Sequence, residues 1–250
     1  MRSLSSADAA LLRPDLVPVR LSQGEVLFEI GEPLTRVYLL EEGVVSMLSV
    51  SENGRSHRRP NLIGACEMAT IGNEGVVGVA ALVDGDSAMG RYVVLVPGAA
   101  LAIEVGALRR AMRKSPTFRS LCAACVRAFL EQVLQSAACN SLHRVEERCA
   151  RWLLMTHDRC HSDTFLLTQE SLAAMLGVHR PTITHVARIL QSEGLIRYSR
   201  GMITIVDRPG LEKAACECYR IIRRQQERLL SASTDPIRAR PAARSSTTCA

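Results

Sequence analysis

Residues 168–196, TQESLAAMLGVHRPTITHVARILQSEGLI, decide the fold of the C-terminal half. The pattern predicts a first helix from about Thr168 to Leu176, with Gln169 and Glu170 in its opening turn. Gly177 follows, a residue that turns left-handed without a Cβ penalty. A second helix then starts near His179 and Arg180. Pro181 fits there because it falls in the first turn, where its missing N–H would have had no partner. Ala173 is small where the two helices cross, and Leu172, Leu176, Val178, Ile183, Val186 and Leu190 point inward at helical spacing. Arg180, Thr184, His185 and Arg188 are left on the exposed face of the second helix, with His179, Thr182 and Gln169 beside them. Cations and short hydroxyls at the start of an exposed helix suit the major groove of DNA, so these seven residues are the candidate DNA contacts. A helical hairpin with a solvated polar face explains less, because it needs neither the small crossing residue nor the corner glycine.

Two short β-prone runs come next, Leu195–Ser199 and Met202–Val206, with Arg200-Gly201 as a hairpin turn between them. A helix-turn-helix followed directly by a hairpin is a winged helix, and Arg200 is the wing residue placed to touch a phosphate. The module draws support from the preceding segment RVEERCARWLLMTHDR, residues 144–159, whose Val145, Cys149, Trp152 and Leu153 form one apolar stripe of a helix.

The charge distribution follows the same division. The net charge of +6 is spread unevenly over the 250 residues. Residues 1–139 carry 14 Lys/Arg and 14 Asp/Glu, residues 140–230 carry 14 and 10, and residues 231–250 carry 3 and 1. All of the excess positive charge therefore lies with the winged helix and its tail, as phosphate neutralisation requires. Hydrophobic content is 47%, yet no apolar run approaches the roughly 20 residues of a membrane span. The N-terminus MRSLSSADAALLRPDL has no signal-peptide pattern, so a cytoplasmic protein is expected. The nine cysteines are irregularly spaced and read mostly as buried thiols of a reducing compartment.

The first hundred residues follow a different pattern. The β-prone runs Glu25–Ile30, Val37–Leu40, Val44–Val50, Arg91–Val96 and Ala100–Val105 alternate with glycine corners, which predicts a compact antiparallel sandwich or barrel. From Gly106 to about Asn140 the chain becomes helical, with Pro116 opening a long run. Leu121, Cys125, Ala128, Gln132, Gln135 and Cys139 lie near one seam of this run, and Phe129, Leu130, Val133 and Leu134 flank it. Such a helix between two domains suits a dimer seam, here assigned to Leu121, Cys125, Phe129 and Val133; packing back onto its own sandwich is the alternative. The tail, SASTDPIRARPAARSSTTCA, is polar and Pro-rich and is expected to be disordered. The fold class is thus α+β: an effector domain over 1–106, a long dimerisation helix over 107–140, a DNA-binding winged helix over 141–230 and a tail over 231–250.

A β-roll, a long helix and a C-terminal winged helix in that order resemble the Crp/Fnr family of transcription regulators, whose roll is a cyclic-nucleotide-binding-like domain. The resemblance spans about residues 15–225. It rests on RVEERCARWLLMTHDR, on LTQESLAAMLGVHRPTITHVARILQSEGLIRYSRGMITIVD and on GEVLFEIGEP…VYLLEEGVVS. It implies a homodimer that senses a signal in the roll, binds a palindromic operator on double-stranded DNA, and contacts or blocks RNA polymerase.

Departures from the family bear on mechanism. Cyclic-AMP-binding members pair a Gly-Glu loop with an arginine about ten residues later. Here, in IGNEGVVGVAALVDGDSAMGRYVV, Glu74 and Gly75 stand in the loop, but the arginine position falls at about Asp84, which repels phosphate; Arg91 is the nearby cation, on the following strand. These three residues are weak effector candidates, and cyclic nucleotide binding is not expected. The effector is left unknown. Oxygen-sensing members hold an iron–sulfur cluster on N-terminal cysteines, and no cysteine precedes Cys66, so no cluster is expected there. Cys122 and Cys125 form a CxxC on the long helix, open to a redox role or to a plain core role. His157, Cys160 and His161 have metal-like spacing but sit where the family ends a structural helix, so no metal site is assigned. In the recognition helix the family usually presents Arg, then Glu, then a later Arg, where this chain has Arg180, Pro181 and His185. No catalytic motif stands out, and an enzyme is not expected. The other functional reading is a ligand- or redox-sensing module that contacts only proteins. The Arg180-to-Arg188 face and the charge asymmetry favour DNA.

Overall fold

The computed structural model describes residues 4–56, 59–160 and 162–231. Its N-terminal lobe is a roll of β1 (Val17–Leu21), β2 (Val26–Phe28), β3 (Arg36–Leu40), β4 (Val44–Ser56), β5 (Arg59–Ile71), β6 (Val76–Val77), β7 (Arg91–Val96) and β8 (Gly98–Glu104). The strands pair antiparallel in two four-stranded sheets, β1-β8-β3-β6 and β2-β7-β4-β5. Period-two alternation turns Val45 and Met47 of β4 and Tyr92 and Val94 of β7 into the space between the sheets, where Val37, Leu40 and Ile103 are also buried. A short helix, α1 (Ser6–Leu12), seals one end of the roll with Leu12.

The helix expected over 107–140 is two helices. Helix α2 (Val105–Lys114) packs on the roll, and α3 (Pro116–Leu142) starts afresh after a break at Ser115. The cause is local: a residue before proline is driven out of the helical region, and Ser115 stands at φ −120°, ψ 109°. Its hydroxyl then accepts from the Phe118 N–H and caps the new helix.

The C-terminal lobe comprises α4 (Val145–His157), β9 (Thr164–Leu166), α5 (Gln169–Leu176), α6 (Arg180–Ser192), β10 (Ile196–Ser199), β11 (Met202–Ile205), α7 (Arg208–Ala214) and α8 (Cys218–Ser231). The wing is a three-stranded sheet, β10-β11-β9; the sequence reading contains the hairpin but not β9. Arg200 and Gly201 both take positive φ, 49° and 79°, the conformation a tight two-residue hairpin turn needs. No helix among the described residues is long and apolar enough to cross a membrane. The tail assigned to 231–250 lies, from residue 232 on, outside the described residues.

Helix α4 is buried all round from Arg148 to Thr156, not on one stripe as expected. The reason is that the roll covers its second side: Val44, Leu48 and Leu95 of the roll share one apolar core with Trp152, Leu153, Leu172, Ile183 and Leu190. Polar ties run through this interface. Trp152 Nε1 donates to the buried Glu67 carboxylate at 2.8 Å, and the Ser46 hydroxyl donates to it at 2.5 Å. Burial pushes the Glu67 carboxyl above the usual carboxylate range, against the pull of those two hydrogen bonds. Just after α4, Arg159 reaches Glu74 in the loop between β5 and β6, at 2.9 Å from Nε and 2.6 Å from Nη2.

Candidate nucleic-acid interface and effector cleft

The corner between α5 and α6 forms as its residues dictate. The Thr168 hydroxyl accepts from the Ser171 N–H at the start of α5. Gly177 closes the helix at φ 62°, ψ 39°, where any side chain would be strained. Pro181 lies in the first turn of α6, and Ile183, Val186 and Leu190 are fully buried beneath it. The outer face then carries what this burial leaves over. Gln169, Arg180, Pro181, Thr184, His185 and Arg188 line one open concave surface. The Thr184 hydroxyl donates to Gln169 Oε1 at 2.7 Å, which turns the Gln169 amide N–H groups away from Thr184. Arg180, His185 and Arg188 are exposed, and His179 at the N-cap of α6 and the half-buried Thr182 are not among the residues that line this surface. Arg200 is exposed at the tip of the wing. The face therefore offers two guanidinium forks, an imidazole and a hydroxyl from α6 and an amide from the start of α5 on one surface. This is donor-rich and acceptor-poor, as a surface meant for phosphates and guanine edges must be.

Of the effector candidates, Glu74 and Gly75 line one cleft and Arg91 does not. Glu74 is engaged by Arg159 and by the Gly72 N–H, so its carboxylate holds the two lobes to each other. Gly72 is required there: a Cβ on it would lie 2.5 Å from Cδ of Arg159. Gly75 forms the adjoining tight turn, its N–H donating to the Gly72 carbonyl at 3.0 Å. Arg91 lies on β7, as its position suggests, but pairs with Glu29 at 3.3 Å. Asp84 ends a short 3-10 helix, Val79–Val83, in a left-handed conformation with its side chain exposed and 3.5 Å from Arg109. Between this loop and α3 lies a small cleft lined by Leu39, Leu82, Leu108, Phe118, Leu121 and Cys122, with Asn73 and Glu74 among its few polar residues. No Lys or Arg lines this cleft among the described residues.

The seam residues also divide. Cys125 and Phe129 pack onto the core of the roll, Leu121 lines the cleft, and Val133 is half-buried. The outward apolar side of α3 carries Leu130, Leu134 and Leu142 instead, 54%, 62% and 77% exposed. The run is apolar on nearly every side, so spacing does not distinguish the face the roll takes from the face it leaves. Burial pushes the Cys122 thiol up to about 12 and the Cys125 thiol up to about 11, which keeps both protonated at neutral pH. His157 has both ring nitrogens engaged, by Asp163 and Arg208, and the Cys160 thiol is pushed up to about 11 by burial; His161 lies outside the described residues. Reading the sequence alone misses Glu67 and Arg159 as lobe contacts. It also leaves Cys139 in the seam, whereas the structure buries it beside His143, Cys216 and Cys218.

Two family models match the chain in this order: the cyclic nucleotide-binding domain over residues 18–115 and the Crp-like helix-turn-helix domain over residues 147–214. No curated protein sequence matches it. Among solved structures, FixK2 from Bradyrhizobium japonicum superposes with a TM-score of 0.66 at 16% identity, over 80% of this chain and 98% of that one. A Crp/Fnr-family regulator from Eubacterium rectale gives 0.62 at 21%, over 84% and 94%. The c-di-GMP-responsive global regulator CLP of Xanthomonas campestris gives 0.61 at 16%, over 81% and 100%. At such identities these three establish the fold alone. The two family models together span about two thirds of the sequence, and the second falls on the helices whose outer face is rich in donors. By roll, by corner and by order of domains, the chain belongs to the Crp/Fnr family of DNA-binding transcription regulators.

Proposed function

We propose that this regulator binds a palindromic operator as a homodimer, with α6 in the major groove of each half-site and Arg200 of the wing on the flanking phosphates. The observation that carries this reading is the single concave surface formed by Gln169, Arg180, Thr184, His185 and Arg188. Arg180 at the helix start is suited to a bidentate contact with guanine O6 and N7. Pro181 has no acceptor for a cytosine amine, so the half-site specifies fewer base pairs than one read by the family's usual Arg and Glu. His185 supplies one donor where a guanidinium would supply a fork. The outward leucines of α3 form the seam, and two recognition helices then sit about 34 Å apart on one face of the duplex. RNA polymerase is the further partner, and the protein acts by binding, not by catalysis. The effector is uncharged or apolar instead of a cyclic nucleotide, since the cleft beside α3 is lined mostly by hydrocarbon and, among the described residues, offers no cation for a phosphate.

Selection of binding sites from a random pool tests the reading face. Arg180→Ala is expected to cost about 1–3 kcal/mol on the selected site and to relax one base position. Full sequence discrimination by that variant would place the reading face elsewhere.

A further inference from the structure

Cys139, His143, Cys216 and Cys218 bring three thiol sulfurs and one imidazole nitrogen within 4.8 Å of one another, with all three cysteines buried. Cys139 and His143 are one turn apart at the C-terminal end of α3, and His143 is its C-cap. Cys216 and Cys218 flank Glu217 in the tight turn that opens α8, where the Tyr219 N–H donates to the Cys216 carbonyl. From this convergence we infer a tetrahedral Cys3His site for a single zinc-class divalent ion, fastening α8 to the end of the long helix.

The distances fit one ion. Zinc–sulfur bonds of about 2.3 Å and zinc–nitrogen bonds of about 2.0–2.1 Å set tetrahedral edges of about 3.8 Å between sulfurs and about 3.5 Å between sulfur and nitrogen. Here Cys139 Sγ and Cys216 Sγ are 3.5 Å apart, and Cys218 Sγ is 3.5 Å from His143 Nδ1. An iron–sulfur cluster fits less well, because its ligands hold different irons and must stand farther apart.

The surroundings are those of a ligand set, not of an apolar core. The three cysteines form a group of their own, separate from both large hydrophobic cores. The far ring nitrogen of His143 is 3.2 Å from the Glu217 carboxylate, the outer partner that orients a metal-binding imidazole and fixes its tautomer. Gln135 Nε2 donates to Cys218 Sγ at 3.0 Å. On α4, Arg148 and Arg151 are buried without a carboxylate ion pair among the described residues, and each leaves its Nε unpartnered. Buried cations of this kind call for nearby negative charge. Three thiolates and a neutral imidazole around a dication carry one net negative charge beside them. Three thiolates plus one imidazole, in tetrahedral array, select zinc over hard cations such as magnesium or calcium.

The ion would span the point at which the chain changes direction. His143 and Arg144, both extended, join α3 to α4. A bond set from Cys139 and His143 to Cys216 and Cys218 closes a loop around that joint, so α8 cannot swing away from α3 while the ion is held.

The test uses the full-length chain, free of any histidine tag and purified under reducing conditions. Elemental analysis after gel filtration is expected to give about one zinc per chain. Exchange for cobalt should give the intense visible bands of a tetrahedral ion and a thiolate charge-transfer band in the near ultraviolet. Cys216→Ser should lose the ion or weaken its binding at least tenfold, and Cys66→Ser should leave it unchanged. If Cys216→Ser does not fold, His143→Cys serves instead: it should keep the ion and shift the cobalt spectrum toward that of a four-thiolate site. A reduced, folded wild-type chain that takes up neither zinc nor cobalt overturns the proposal. So does a Cys139–Cys216 disulfide found by mass spectrometry in a chain that still binds no metal once reduced.

Discussion

Arg159→Met isolates the contact that joins the roll to the DNA-binding lobe. Arg159 and Glu74 have side chains only 3% and 11% exposed, so neither charge has solvent to fall back on. The arginine makes two charged hydrogen bonds to Glu74, at 2.9 and 2.6 Å, one to the Met155 carbonyl at 2.7 Å and a longer one to the Thr70 carbonyl at 3.4 Å. Methionine keeps the apolar stem and deletes all four. It leaves Glu74 with the Gly72 N–H at 3.3 Å and Gln226 at 3.5 Å as its remaining donors. Removing one partner of a buried pair costs about 3–5 kcal/mol, most of it the stranded charge. Glu74→Gln in the same chain removes that charge, so the double variant should recover about half the loss. What then remains is the unmet need of two carbonyls, about 1–3 kcal/mol each at most. Urea unfolding of the wild type, the two single variants and the double variant closes the cycle. A coupling of about 2–3 kcal/mol is expected, with Arg159→Met separating the unfolding of the two lobes. Additivity of the single changes to within about 0.5 kcal/mol would refute the reasoning, because residues that share a buried charge cannot act independently.

Two further outcomes follow from burial. Glu67 has its carboxyl raised by desolvation in the folded protein, so between the unfolded value and the folded one the native state binds the extra proton; stability must fall as pH rises through that window and stay lower above it. Glu67→Gln keeps an acceptor for Trp152 and offers the Ser46 oxygen a donor, so it should flatten that limb and stabilise the protein at neutral pH, as thermal unfolding across the pH range would read; an unchanged pH dependence would count against it. Leu134→Glu charges the outward side of α3 and should yield a folded monomer in sedimentation at micromolar concentration, whereas Phe129→Glu should lower the stability of the roll itself. The opposite pattern would return the seam to the Cys125 and Phe129 face.

What the sequence discloses is what local chemistry decides. Gly177, Pro181 and the inward run from Leu172 to Leu190 fix the corner within about 20 residues, because a helical hairpin is built from near neighbours. The same holds for Arg200-Gly201 at the wing. Strand β9 is three residues long, too short for periodicity, and it exists because β11 offers it an edge. On α3, residues apolar all round could not say which side the roll would claim. The thiol cluster lay further out of reach. Its two halves are Cys-x3-His and Cys-x-Cys, separated by more than seventy residues and matching no familiar ligand spacing. A signal was nonetheless present in Cys216-Glu217-Cys218, two thiols around a carboxylate in a chain otherwise sparing with close cysteine pairs.

The placement of Glu74 links the cleft to the reading head. It lines the cleft beside α3 and is at the same time the residue through which the roll holds Arg159. A ligand that draws on the Glu74 carboxylate therefore competes with the tie between lobes, while one that fills only the hydrocarbon part of the cleft leaves the tie intact and stiffens α3 against the roll. The two classes of ligand must act in opposite senses on the freedom of α4 and of the helices that follow it. Only a ligand with unequal affinity for the tied and untied arrangements changes operator binding, and the operator then changes ligand affinity by the same factor. Arg159→Met removes the tied arrangement. In that variant, operator affinity should no longer respond to a ligand of the first class, although the ligand still binds. A response of wild-type size would mean that the signal reaches α6 by a route other than Glu74.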